Sequence, residues 1–131
     1  MKTENEISRF IVEAAIRIHK TLGPGLLENA YKQCLLFELR EMGLHCKAEH
    51  GLPVHYKTQK IELGYRLDIL VEDKVVIEIK SVDAINDIHI AQVLTYLKFG
   101  DYKLGLLLNF NETQMKKGIR RVINRLDPEY Q

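Results

Sequence analysis

Tyr65-Arg66-Leu67-Asp68-Ile69-Leu70-Val71, then Glu72-Asp73-Lys74, then Val75-Val76-Ile77-Glu78-Ile79-Lys80, reads as a β-hairpin, and the rest of the fold is arranged around it. Leu67, Ile69 and Val71 alternate with Arg66, Asp68 and Leu70. Val75, Ile77 and Ile79 alternate in the same way with Val76, Glu78 and Lys80, so each strand has one continuous apolar face. Side chains directly opposite in an antiparallel pair share a face, so the apolar faces coincide when Val71 faces Val75 across a three-residue loop. That register sets Asp68 opposite Glu78 and Arg66 opposite Lys80, with Leu67, Ile69, Ile77 and Ile79 on the other face. A two-residue Asp73-Lys74 turn would shift the pairing by one and separate the carboxylates.

Two carboxylates placed directly opposite each other repel, so the pattern asks for positive charge between them. One reading is a surface hairpin laced by Arg66 and Lys80 salt bridges, which contribute little. The other is a divalent metal held by Asp68 and Glu78, with Lys80 two residues further along the same strand face. Alternation alone leaves both open.

Upstream, Thr3 with Glu6 three positions on resembles a capping box, and Ile7, Phe10, Ile11, Ala14, Ala15 and Ile18 recur at helical spacing. Gly23-Pro24-Gly25 ends that helix, and a second is expected from about Leu26 to Met42, with Leu27, Ala30, Tyr31, Cys34, Leu35 and Leu39 facing inward. Between His45 and Lys80 the pattern is short and strand-like, predicting three or four strands with a break at Lys57 to Lys60. A helix over about Asn86 to Phe99, a buried strand at Leu104 to Asn109 and a last helix from Thr113 to Leu126 complete the order.

The chain has 131 residues, 46% of them hydrophobic and 28% charged, with a formal charge of +1, and reads as a single domain over 1–131 that folds around one core. A near-neutral balance carries no whole-molecule signature of an anionic partner, so nucleic acid would have to be met by a local patch. Neither a signal peptide core nor a run of about 20 apolar residues is present, which predicts a cytoplasmic protein with no membrane partner. Cys34 and Cys46 are too few for a disulfide framework. His45, Cys46, His50 and His55 match no paired zinc spacing, although a tetrahedral-zinc module stays as a rival. Serine-hydrolase elbows, Walker loops and dinucleotide fingerprints are all missing.

At Asp68 and Glu78-Ile79-Lys80 the sequence resembles the PD-(D/E)XK nuclease superfamily, whose core motif is an acidic residue, a gap, then Glu or Asp, any residue and Lys. Gly25-Leu26-Leu27-Glu28-Asn29-Ala30-Tyr31 matches the signature of the small GxxExxY proteins, and Gln92-Val93-Leu94-Thr95-Tyr96 matches the QxxxY helix motif of one nuclease branch. The resemblance implies an α/β, restriction-endonuclease-like mixed sheet flanked by helices and a phosphodiesterase site using Mg²⁺ or Mn²⁺. It further implies that Asp68 and Glu78 are metal ligands, that Glu28 is the helix-borne acid of the site, and that Lys80 orients the attacking water.

The residues themselves admit plainer readings. Glu28 in a first helical turn favours the positive end of the helix dipole. Gln92 and Tyr96, four apart on one helix face with His89 a turn earlier, line either a groove or the polar flank of a half-buried helix. Lys116, Lys117, Arg120, Arg121 and Arg125 give the last helix a basic outer face, from which Lys117 and Arg121 would meet a phosphate backbone. The expectation is a metal-dependent nuclease, with a homodimer as a further option; the alternative is a binding module that keeps the fold and acts on nucleic acid or protein without turnover.

Overall fold

A computed structural model of the chain describes residues 1–62 and 64–125. The hairpin forms where the alternation places it: β4 (Arg66–Val71) and β5 (Val75–Lys80) pair antiparallel, with Val71 opposite Val75, Leu70 opposite Val76 and Ile69 opposite Ile77. Glu72 and Asp73 turn the chain in left-handed backbone, at φ 53° and 55°, and the Lys74 N–H closes on the Val71 carbonyl at 2.9 Å.

Around this pair a sheet of five strands has the order β1 (Cys46–Gly51), β4, β5, β6 (Leu104–Asn109) and β7 (Ile119–Ile123). β1 (Cys46–Gly51) lies antiparallel to β4, and β6 (Leu104–Asn109) lies parallel to β5 after a crossover through helix α3 (Asp87–Gly100). Helices α1 (Glu4–Leu22) and α2 (Glu28–Glu41) cover one face, packing Ile7, Ile11, Ala15, Tyr31 and Leu35 against Ile69, Ile77, Leu106 and Leu108. On the other face α3 packs Val93 and Leu97 against Leu70, Val76 and Leu107. Gly105 allows the close approach there, since a β-carbon on it would lie 2.8 Å from Val93 Cγ1.

Several expectations are corrected. The described residues of 45–80 hold five strands rather than three or four, because Lys57, at φ 55°, folds β2 (Val54–Tyr56) straight back onto β3 (Gln59–Ile61) inside the stretch read as a break. Leu67, placed by alternation with Ile69, packs instead with Leu52, Leu70 and Val76 on the α3 side. Leu27 and Ala30, expected inward, are exposed, because α2 begins at Glu28 and Leu27 is only its cap residue.

The last helix is replaced by a 3-10 turn (Met115–Gly118) and an edge strand, β7 (Ile119–Ile123), antiparallel to β6. Ile119 and Val122 suit helical spacing, but three β-branched residues in five favour a strand. Gly118 also lies so close to Asn109 that a β-carbon would sit 2.1 Å from its carbonyl oxygen. Leu126 lies outside the described residues. No described helix is long and apolar enough to cross a membrane.

Candidate active site

Beyond the Ile69–Ile77 pair, β4 and β5 are joined through acidic side chains. The Asp68 N–H donates to Glu78 Oε2 and the Ile79 N–H donates to Asp68 Oδ2, each at 2.8 Å. Each carboxylate therefore spends one oxygen on the opposite strand's backbone. Burial pushes the Glu78 carboxyl up to about 8, with the Asp68 charge adding to the shift and the Asp68 amide and Lys80 opposing it. Burial also raises Asp68, against the Ile79 amide. The salt-bridged surface hairpin does not form: neither carboxylate has an ion pair among the described residues.

Lys80 follows on β5, half-buried, at the carboxyl end of the parallel β5–β6 pair. Its carbonyl accepts from the Phe110 N–H at 3.1 Å. Just beyond it, the buried Asn109 side chain bonds both the N–H and the carbonyl of Val82, at 3.1 and 3.0 Å. Ligands of open α/β sheets bind at this end of the strands.

From the α2 side, Glu28, Asn29, Lys32, Glu49, Asp68 and Ile79 line a cleft of about 150 Å³. Glu28 is exposed at the first position of α2, and its charge is felt at Asp68. The turn before it is clamped by Tyr31, whose hydroxyl donates to the Gly23 carbonyl at 2.6 Å and accepts from the Leu26 N–H at 3.1 Å. The Tyr31 ring stacks on Phe110, with centroids 4.5 Å apart. The Ser81 hydroxyl donates to the Leu26 carbonyl at 2.7 Å and ties this turn to the end of β5.

From the α3 side comes Tyr96, buried and 6.2 Å from the Tyr65 ring between centroids. Its hydroxyl is raised by burial first and then by the Glu78 charge. Gln92 lies exposed one turn earlier. His89 is a capping residue: its Nδ1 accepts from the Asn86 N–H at 3.1 Å, while Asn86 Oδ1 accepts from the His89 N–H at 3.0 Å.

The basic helical face is not present. Arg120 and Arg121 alternate along β7, and Arg121 turns to α1, donating to Ser8 Oγ at 3.2 Å and Asn5 Oδ1 at 2.8 Å. Lys117 is exposed on the 3-10 turn.

Lys32 and Glu49, which form an ion pair across the cleft, were not singled out by sequence reasoning. Lys32 was within reach of it, being one helical turn beyond Glu28. Glu49 was not, because its place depends on β1 pairing with β4.

The donor set fits a hard divalent ion: carboxylate oxygens, with no thiolate or imidazole among the residues lining the cleft. As they stand, no three His, Cys, Asp or Glu side chains among the described residues converge closely enough to hold a metal ion. Asp68 and Glu78, with Glu28 across the cleft, are the residues that would hold it.

A family model of the PD-(D/E)XK nuclease superfamily matches residues 5–122, and the chain belongs to that superfamily. The mixed five-stranded sheet flanked by three helices is its restriction-endonuclease-like arrangement. A solved structure described as "Crystal structure of SSO0001" is similar at 17% identity and a TM-score of 0.44, over 95% of this chain and 68% of that one. No curated protein matches.

Proposed function

We propose that the chain is a metal-dependent nuclease of the GxxExxY group, hydrolysing phosphodiester bonds of nucleic acid in the cytoplasm as one domain over 1–131. The observation that carries this reading is the crossed pair of half-buried Asp68 and buried Glu78 at the mouth of the hairpin, with Lys80 two residues along β5. In a superfamily of nucleases, two desolvated carboxylates without an ion-pair partner among the described residues are suited to a cation and a phosphate rather than to stability.

Asp68, Glu78 and Glu28 would hold Mg²⁺ or Mn²⁺. When bound, such an ion lowers the pKa of a coordinated water and offsets charge on the phosphate. Lys80 orients the attacking water and stabilises the developing negative charge. Tyr96, whose hydroxyl feels the Glu78 charge, and Gln92, a turn away on α3, contact the substrate at the rim. Lys117 and Arg121 supply phosphate contacts away from the acids, and a homodimer pairs two sites for duplex cutting.

The test separates cleavage from binding. Parent protein, Asp68→Ala, Lys80→Ala and Lys117→Glu are compared in a cleavage time course with Mg²⁺ or Mn²⁺, beside a binding titration at two salt concentrations. Asp68→Ala and Lys80→Ala are expected to lose cleavage while keeping salt-sensitive binding, and Lys117→Glu to weaken binding and flatten its salt slope. Binding by the parent without cleavage under either metal establishes the binding module instead.

A further inference from the structure

We propose that Lys32 is the resident counter-cation of the acidic cleft, anchored there by Glu49 and displaced when a divalent ion enters. The inference rests on the reading of the cleft as a metal site and adds a residue that sets the affinity of that site.

Lys32 stands one turn beyond Glu28 on α2, and its side chain is only 12% exposed, although a lysine ammonium ordinarily reaches bulk water. It lines the cleft together with Asp68 and Glu28. Glu49 holds it from the facing wall. In β1 the pairs Ala48–Ile69 and His50–Leu67 bracket Glu49, so it stands level with Asp68 across the sheet. Its backbone is left-handed at φ 52°, which sets it out of the strand ladder its neighbours keep. A non-glycine residue in that conformation is held by its surroundings.

Three carboxylates, Glu28, Glu49 and Asp68, share the lining of this cleft, and the Lys32 ammonium is the cation among them. An entering dication meets that ammonium as a like charge. Lys32 is thus a positioning residue whose removal makes ion binding easier, the reverse of a ligand's behaviour. A lysine serving only as a strut between α2 and β1 would change folding stability and leave ion affinity alone.

The experiment is calorimetric titration of Mn²⁺ alone into the full chain, without nucleic acid, on parent, Lys32→Gln, Lys32→Arg and Asp68→Asn, with thermal melts of each. Lys32→Gln is expected to bind Mn²⁺ about tenfold more tightly than the parent, because a like charge beside the dication is gone. Lys32→Arg, which keeps that charge, is expected to bind as the parent does. Lys32→Met, which keeps the apolar stem, reads the same effect where the Gln variant does not fold. Unchanged or weaker Mn²⁺ binding in the charge-removing variants, with binding lost in Asp68→Asn, overturns the role of Lys32 alone. Mn²⁺ binding that survives Asp68→Asn overturns the metal-cleft reading and this one with it.

Discussion

Asp68 and Glu78 hold each other's strand by crossed hydrogen bonds: the Asp68 amide donates to the Glu78 carboxylate, and the Asp68 carboxylate accepts from the Ile79 amide. At that level the acids join β4 to β5, where backbone pairing ends at Ile69–Ile77. The same bonds fix the direction of both carboxylates, so the folding of the hairpin and the geometry of the site are one arrangement. Rigid placement of charged groups at a strand end is what a positioned ion and a positioned water require.

The raised Glu78 carboxyl makes stability depend on pH. A carboxyl ordinarily near 4.5 and held at about 8 in the fold binds a proton in the native chain that the unfolded chain has released. Its contribution therefore favours folding at low pH and is lost as pH rises from about 5 to 8. Urea unfolding without divalent ions is expected to show Glu78→Gln gaining on the parent across that window. By pH 8 the gain should be about 1–3 kcal/mol, the scale of a poorly satisfied buried polar group. Added Mn²⁺ is expected to restore the parent and not the variant.

Tyr31→Phe keeps the stack on Phe110 and removes the clamp on the Gly23 carbonyl and the Leu26 amide. Losing these hydrogen bonds is expected to cost about 1–2 kcal/mol in chemical denaturation. Cleavage is expected to fall further than that stability loss accounts for, because the clamped turn sets the start of α2 and with it Glu28. Activity per folded molecule, measured well below the melting temperature, checks this.

Gly118→Ala tests the end of the chain as described. On an exposed helix the substitution would stabilise by up to about 1 kcal/mol. Beside the Asn109 carbonyl, where the new β-carbon would meet the oxygen at 2.1 Å, it is expected to destabilise by about 1–3 kcal/mol. Equilibrium unfolding of the two proteins gives the sign directly.

The hairpin was legible because its alternation runs over both strands and a three-residue turn admits one register that buries both apolar faces. Leu67 escaped that rule where the strands part, since alternation assumes a ladder that continues. The segment from Thr113 was misread because Ile119 and Val122 satisfy helical spacing, while the close approach that seats Gly118 just before the strand comes from Asn109, nine residues away. The motif residues Glu28, Asp68, Glu78 and Lys80 were visible in the sequence; the Lys32–Glu49 pair across the cleft was not, because no local signal announces a left-handed Glu49. Basic residues that share a face on an imagined helix divide between two faces on a real strand.

Metal-dependent cleavage at the Asp68 site is read by titrating Mg²⁺ and Mn²⁺ into purified protein on circular single- and double-stranded substrates, with Asp68→Asn beside the parent. Asparagine keeps an oxygen for the Ile79 amide and removes the charge, so the hairpin stays closed while the site loses its anion. The account predicts metal-dependent nicking or linearisation by the parent, suppressed by EDTA, and at least a hundredfold loss in Asp68→Asn, roughly the scale of removing a key electrostatic group from an active site. Cleavage by Asp68→Asn at the parental rate, or no cleavage by the parent with either ion, would contradict it.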